Sequence, residues 1–194
     1  SFQMNLIKSI TLLLSFVCIT SCGKKSKKEV VTESPITETI SQMVDNSVKQ
    51  LQVNISSFKT IATLDHHRMA AEAGVYTPPS IATIFSDPKV DIAIIKAHQL
   101  AALDLPFKVL CFTEADTTKA KVAYTASEFI QKRHNLDTSL LTDYKSNMTK
   151  ALASFSKEMI SQTDMTTVSE GFGIVSIKSD FDFATTVQNL RDIV

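Results

Sequence analysis

Apolar residues recur at helical spacing over much of the chain. The first such segment begins at Ser34-Pro35, a serine cap followed by a proline at the first helical position. Gly74 and Pro106 each end a later segment, because glycine favours the left-handed conformation beyond a helix and proline restricts the residue before it. The segment before Pro106 is apolar on most sides, which indicates a buried helix. The pattern predicts helices at 35–51, 67–73, 90–105, 126–136 and 137–161.

Short segments rich in β-branched and aromatic residues lie between these helices and predict strands. In the third segment Phe107, Val109 and Cys111 alternate with other residues, so they share one face. Turn residues at 115–118 join the third and fourth segments into a β-hairpin. The predicted strands are 56–64, 79–85, 107–116 and 119–125. This order of elements predicts an α+β fold, with a mixed or antiparallel sheet and helices packed on one face.

The first 22 residues follow the pattern of a bacterial secretory signal peptide. After Met4 and Lys8 comes an apolar stretch that is too short to span a bilayer as a helix. The run Ile19-Thr20-Ser21-Cys22 resembles the lipobox of bacterial lipoproteins, in which the cysteine is lipidated and becomes the mature N-terminus. The alternative is an ordinary signal peptide that contains a cysteine.

The lysine-rich segment 23–35 is polar, and we interpret it as a disordered tether between the lipid and the folded domain. Lipidation at Cys22 would place the protein in the bacterial cell envelope as a lipid-anchored lipoprotein. Because Gly23 rather than aspartate follows the cysteine, we expect the periplasmic face of the outer membrane.

The net charge and the cysteine content of the chain argue against some classes of function. The 194 residues carry a formal net charge of zero, which argues against a nucleic-acid-binding protein, since such proteins carry a basic excess. The three cysteines give neither a disulfide framework nor the spacing of a zinc site. Once Cys18 leaves with the signal and Cys22 is lipidated, Cys111 is the remaining thiol. Its apolar strand face predicts a buried, unreactive group.

The stretch from Phe58 to Leu136 resembles the bacterial family known as domain of unknown function 302. The shared elements are an Asp-His pair, an alanine-rich helix, a strand ended by phenylalanine, a Pro-Lys turn, a Leu-Asp-Leu-Pro segment before a hairpin, and a closing helix. In this chain they are Asp65-His66, Ala70–Gly74, Ile84-Phe85, Asp87-Pro88-Lys89, Ala102–Pro106 with Lys108, and 126–136. The chain departs from the family at Ser86 and Asp87, where the family often has glycine and asparagine. The resemblance implies a compact α+β fold and homodimers, and no established activity.

Residues 170–194 resemble the opening strand and helix of the same family. We therefore expect a truncated second copy, joined to the domain at 36–137 by a connecting helix at 138–165, so that tandem copies would form a pseudo-dimer. We expect its strand to dock onto the sheet of the first domain, because exposed sheet edges are hazardous. The alternative is that 172–194 is the stub of an absent second domain.

Asp65 and the adjacent histidines could form a metal or ligand site, or they could have a structural role. Asp65 is well placed to accept the free N–H groups of the short helix behind it, which is a structural role. Neighbouring histidines in a strand point to opposite faces, whereas a metal site needs three or four converging ligands. We therefore expect no metal and no cofactor. A pocket, if formed, is expected to draw on polar residues at the ends of strands and helices: Asp65, His66, Asp87, Lys89, His98, Asp104 and Lys108.

Two functional hypotheses follow. The first is a non-enzymatic binding or assembly module tethered to the envelope membrane, because no nucleophile, base and acid can be named together. The second is an envelope enzyme or metal-handling protein that uses Asp65, His66 and His98. A pocket joining the two histidines would favour the second hypothesis. The sequence names no small ligand.

Overall fold

The structure is a computed structural model that describes residues 35–115, 119–161 and 163–194. Two short 3₁₀ helices, Gln99–Leu103 and Thr138–Leu141, accompany the regular elements. In chain order the regular elements are α1 (Pro35–Asn54), β1 (Lys59–Asp65), α2 (His66–Glu72), β2 (Ser80–Ser86), α3 (Pro88–Ala97), β3 (Phe107–Phe112), β4 (Lys121–Tyr124), α4 (Ser127–His134), α5 (Thr142–Ala151) and α6 (Phe183–Ile193). The lipobox, the tether and most of the turn at 115–118 lie outside the described residues.

Within the described residues the strands form one sheet in the order β1-β2-β3-β4, and each strand runs antiparallel to its neighbour. The predicted α+β fold is therefore confirmed, with a sheet that is antiparallel. Phe107, Val109 and Cys111 are buried, as their alternation predicts, because they face the helices. Helix α1 packs on this face against β2 and β3.

A stack of aromatic rings joins the sheet to the helices. Phe107 on β3 stacks on Phe85 of β2, with ring centroids 5.1 Å apart, and on Tyr144 of α5, with centroids 4.4 Å apart. All three rings are fully buried. The Tyr144 hydroxyl donates a hydrogen bond of 2.9 Å to the carbonyl oxygen of Thr125, so its polar end is satisfied.

Helix α1 supplies a further part of the core on the same face of the sheet. Its buried residues Val44, Val48 and Leu51 recur every three or four positions, which places them on one face. At its C-terminal end the Asn54 side chain donates to the carbonyl oxygen of Ala151, at 2.9 Å, and so ties α1 to α5.

Two predicted helices are shorter than expected. The segment 90–105 divides at His98, whose backbone is extended, into α3 and a 3₁₀ helix. The helix expected to run to Ser161 ends at Ala151. The chain then turns so that the Val122 N–H donates to the Met159 carbonyl and the Ser161 N–H donates to the Val122 carbonyl, both at 2.8 Å. The apolar stripe that suggested one long helix is thus folded back onto the core and covers part of the edge of β4.

The C-terminal segment packs on α4 for part of its length. Val168 is buried, and the Gly171 N–H donates to the carbonyl oxygen of Arg133 at 2.9 Å. Residues 171–179, the segment expected to supply a strand, form no strand, so the expectation that they complete the sheet is wrong. At the β4 edge residues 159–161 already pair with Val122, so that edge is not available to a further strand. The expected second helix is present as α6, capped by Asp182, with none of its residues buried.

Replacing Phe107 with alanine should lower the free energy of unfolding by about 3–5 kcal/mol, because it removes the central ring of the stack and leaves a cavity. Chemical denaturation followed by circular dichroism measures this change. Phe183→Ala is the matched control, because this ring is 84% exposed on α6. The control should change stability by less than about 0.5 kcal/mol. Equal losses in the two variants would contradict the assignment of the core.

Candidate functional site

Asp65 caps α2 and joins it to α1. The Arg68 N–H donates to Asp65 Oδ1 at 2.9 Å, which confirms the predicted cap. The Arg68 guanidinium also binds both the Asp65 carboxylate and the Asp45 carboxylate of α1, at 2.5 and 2.8 Å. The hydrogen bonds that Arg68 donates to Asp45 and to Asp65 raise the pKa of its guanidinium further above its already high value. This network is structural, since its groups satisfy one another.

The two adjacent histidines point into different environments. His66 is exposed at the start of α2, whereas His67 is buried. The Nδ1 atom of His67 hydrogen-bonds the carbonyl oxygen of Thr77, and its ring meets the Tyr76 ring edge-on, with centroids 5.8 Å apart. His67 therefore fixes the loop that leads from α2 to β2.

The sheet register separates Asp65 and His66 from the other predicted pocket residues. Asp65 is paired with Ile81, at the start of β2, whereas Lys59 is paired with Ser86, at the end of β2. Five residues of strand, about 17 Å, separate these two positions. Asp87 and α3 follow Ser86, so they lie at the opposite end of the sheet from Asp65.

At that opposite end, Asp104 is the centre of a buried charge network. Its Oδ1 atom accepts from Arg133 Nη1 at 2.7 Å, and its Oδ2 atom lies 2.5 Å from His134 Nε2. Because an ionised carboxylate can only accept, the imidazole donates through Nε2. His134 is 3% exposed, and its Nδ1 atom has no hydrogen-bond partner among the described residues. The ring of His98 lies beside it, with centroids 5.4 Å apart.

A second buried carboxyl lies close to this network. The Ser86 hydroxyl donates to Asp91 Oδ2 at 2.5 Å, while Asp91 Oδ1 has no partner among the described residues. Burial raises the pKa of the Asp91 carboxyl above its ordinary value, and the negative charge of Asp87 acts in the same direction. The Ser86 hydrogen bond and the positive charge of Lys108 oppose this rise.

Lys108 and Tyr144 link the two carboxyls electrostatically. Burial lowers the pKa of Lys108, while the negative charges of Asp104 and then Asp91 raise it. Burial raises the pKa of Tyr144 far above its ordinary value, and the charges of Asp104 and Asp91 add to the rise. The structure therefore brings together three predicted pocket residues, His98, Asp104 and Lys108, and adds Asp91 and His134 to them.

Asp87 and Lys89 have local roles beside this network. Asp87 Oδ1 accepts from the Lys89 N–H at 3.1 Å and so caps α3. Asp87 Oδ2 accepts from the Asn147 amide at 2.9 Å, which ties α3 to α5. The Lys89 side chain is exposed.

The sequence analysis missed His134 and Asp91 as members of a charged cluster. The available signal was weak: His134 lies four residues after the apolar Ile130, which places both on the buried face of one helix. Because His134 and Asp104 are buried, their contact can hold α4 against the 3₁₀ helix before β3, while His98 and Lys108 at the border of the network are partly exposed.

The part of the chain that the structure describes contains neither a cluster of metal ligands nor a reactive thiol. There, no three histidine, cysteine, aspartate or glutamate side chains are grouped so that they could hold a metal ion. Cys111 is buried, as predicted, and burial raises its pKa to about 12, which keeps the thiol protonated.

The face of the sheet opposite the helices carries apolar residues outside the core. The register places Leu64, Ala82, Leu110 and Ala123 in one row across the four strands. The row on one side adds Ala62 and Ile84, next to Lys108, and the row on the other side adds Phe112, between Ser80 and Lys121. We call the apolar residues of these three rows the open face. It consists of Ala62, Leu64, Ala82, Ile84, Leu110, Phe112 and Ala123, all of them partly exposed.

Among the described residues, no helix combines the length and the hydropathy that crossing a membrane requires.

Comparisons with known proteins identify the family of the chain. The family described as domain of unknown function DUF302 matches residues 31–155, and the chain belongs to this family. No curated protein sequence matches the chain significantly. A solved structure, that of an uncharacterized conserved protein DUF302 from Bacillus stearothermophilus, is similar at 14% sequence identity, with a TM-score of 0.48. The similarity covers 57% of this chain and 88% of that one. The family match includes α5.

Replacing Asp91 with asparagine should stabilise the protein increasingly as the pH rises. The folded state holds the Asp91 proton more tightly than the unfolded state, because its pKa is raised from 3.8. The stability that this proton contributes is present below pH 3.8 and is lost as the pH rises through the raised pKa. Asparagine cannot lose a proton, so the variant escapes this loss.

Urea denaturation from pH 3 to pH 7 measures the difference between the variant and the wild type. Asp180→Asn, at an exposed position, is the control and should show no such trend. A difference for Asp91→Asn that does not change with pH would contradict the assignment.

Proposed function

We propose that this DUF302 protein is a membrane-tethered binding or assembly module of the bacterial cell envelope, which acts through its open face rather than by catalysis. The observation that carries the proposal is the apolar character of that face. An antiparallel sheet with one solvated face usually presents polar side chains to water. Here the central row presents Leu64, Ala82, Leu110 and Ala123 instead, while Lys108 and Lys121 lie in the two flanking rows beside Ile84 and Phe112.

The open face is separate from the hydrophobic core. Ile84, Leu110 and Phe112 do not belong to the buried cluster or to the residues packed against it, whereas their strand neighbours Phe85, Val109 and Cys111 do. Contiguous apolar residues that remain partly exposed mark surfaces for association, because their burial in a complex removes them from water.

The partner that we propose is a second DUF302 domain, either from another chain, which gives a homodimer, or from a tandem copy, which gives a pseudo-dimer. Two antiparallel sheets pack face to face about 10 Å apart when their inner faces are apolar. A two-fold axis brings the same surface of both partners together, so one apolar face suffices for both. The similarity of residues 170–194 to the opening of the family domain supports a tandem arrangement.

The tether is proposed from the sequence. The apolar segment before Cys22 and the run Ile19-Thr20-Ser21-Cys22 support lipidation and an envelope location. From Cys22 to the start of α1 at Pro35 an extended chain reaches at most about 45 Å. A tether of this length lets the domain meet a partner on the same membrane.

The alternative, an enzyme or metal-handling protein that uses Asp65, His66 and His98, finds less support. Asp65 is committed to Arg68, and His66 lies at the other end of the sheet from the His98 network. We therefore favour the binding or assembly module.

Replacing Ile84 with lysine should dissociate the dimer. The substitution places a second positive charge beside Lys108, the strand partner of Ile84, and burying unpaired charges between two sheets is strongly unfavourable. Sedimentation velocity should show a dimer for the wild type and a monomer for the variant, with unchanged circular dichroism. Ile92→Lys is the matched control, since Ile92 is 52% exposed on α3 and lies outside the open face. A wild type that sediments as a monomer would refute the homodimer.

Replacing Cys22 with alanine should abolish membrane anchoring. Without the thiol no acyl chain can be attached, and stable anchoring depends on those chains. Expression in a bacterial host with a labelled fatty acid, followed by membrane fractionation, should show label in the wild type alone. Cys18→Ala should keep the label and serves as the control. A Cys22→Ala protein that still carries the label in the membrane fraction would disprove lipidation at this residue.

A further inference from the structure

Three adjoining clefts surround the start of α4 and form one continuous groove. The largest cleft, of about 560 Å³, lies between α4 on one side and the 3₁₀ helix Thr138–Leu141 with the beginning of α5 on the other. It shares Ser127, Glu128 and Lys145 with a second cleft of about 220 Å³. A third, of about 230 Å³, shares Tyr124, Ala126 and Glu128 with the second. We call the three together the α4 groove.

The α4 groove is lined by groups that can both donate and accept hydrogen bonds. Four hydroxyls line the largest cleft, together with one amide, one carboxylate and one ammonium group. These residues are Ser127, Thr138, Ser139, Thr142, Gln131, Glu128 and Lys145. The buried side chain of Leu141 gives the cleft an apolar patch.

Several of these groups are free to meet a ligand. The Gln131 amide nitrogen donates to the Leu136 carbonyl at 3.3 Å, which leaves its oxygen as an acceptor. Glu128 is paired with Lys132 at 3.4 Å on the helix surface, an interaction that a ligand can replace at low cost. Lys145 forms no ion pair with any other residue that the structure describes.

The groove carries charges of both signs, so neither an anion nor a cation is attracted by both of its charged groups. Glu128 repels an anion and Lys145 repels a cation, and both line the first and second clefts. A neutral molecule with many hydroxyls meets no such conflict, because its hydroxyls donate to the carboxylate and accept from the ammonium group. The volume of the largest cleft lies within the range of small-molecule sites.

Tyr124 adds an apolar surface where the second and third clefts meet. An aromatic ring with a polar end suits a ligand that has apolar C–H faces and polar edges. A sugar ring has this character, since its C–H groups lie on the faces and its hydroxyls at the rim. Because the groove continues past Tyr124, it can hold more than one such ring.

We propose that the α4 groove binds a neutral oligosaccharide. The carboxylate of Glu128 accepts hydrogen bonds from sugar hydroxyls, and Tyr124 packs against a ring face. Lys145 and the hydroxyls of Ser127, Thr138 and Thr142 donate to sugar oxygens, whereas the Ser139 hydroxyl donates to Asp137 and can only accept from the ligand. This site is separate from the open face and from the Asp104 network, and it does not depend on the proposed dimer.

Isothermal titration of the full chain with neutral chito-, cello- and malto-oligosaccharides tests the proposal, in a detergent without a sugar headgroup. Saturable binding of at least one of them is expected. Glu128→Gln keeps the shape of the side chain and removes its charge. It should weaken that binding about 10-fold or more, which corresponds to the loss of hydrogen bonds to a charged group. Glu72→Gln, on the exposed surface of α2, should leave the affinity unchanged.

Circular dichroism and melting of both variants verify that they are folded, so that a loss of affinity reports on the site. No saturable binding to any of the oligosaccharides would overturn the proposal. Binding that is equally strong in Glu128→Gln would overturn it as well, because the ligand would then lie elsewhere. If defined extended peptides bound in place of the sugars, with the same sensitivity to Glu128→Gln, the groove would be a peptide site and the proposal would fail.

Discussion

The buried carboxylate of Asp104 determines how the helical layer is arranged. It holds Arg133 and His134, two consecutive residues at the end of α4, through separate oxygens. Arg133 in turn donates through Nε to the carbonyl oxygen of Phe172, at 2.8 Å, so the same carboxylate also positions the C-terminal segment. A buried charge is costly unless it is fully paired, and here the pairing fixes α4 in place. The position of α4 then defines one wall of the α4 groove.

The second constraint is that a four-stranded sheet has two faces and the helices that pack on it cover one of them. α1 and the Phe85, Phe107 and Tyr144 stack complete the covered side. The other side carries apolar residues that, among the described residues, lie outside the buried cluster. Their burial in a complex would remove them from water, and this is the physical basis of the proposed assembly role.

Features that depend on neighbouring residues could be predicted from the sequence, and those that depend on distant ones could not. The Asp65 cap is set within three residues, and the burial of Phe107, Val109 and Cys111 follows from strand alternation. The pair Asp104 and His134 is 30 residues apart, and no periodicity connects them. The break at Ala151 has a similar cause, since Phe155 and Met159 continue the helical pattern although they pack through turns.

Strand β4 relates the two proposed surfaces to each other. Because successive side chains of a strand point to opposite faces, Ala123 contributes to the open face while Tyr124, on the same side as Val109, contributes to the α4 groove. β4 is held on one side by β3 and on the other by the hydrogen bonds of Val122 with residues 159–161. Backbone hydrogen bonds along both edges of β4 fix which side chains point to each face of the sheet. The two surfaces are therefore held in a fixed relation, and a partner on the open face leaves the groove accessible on the helical side.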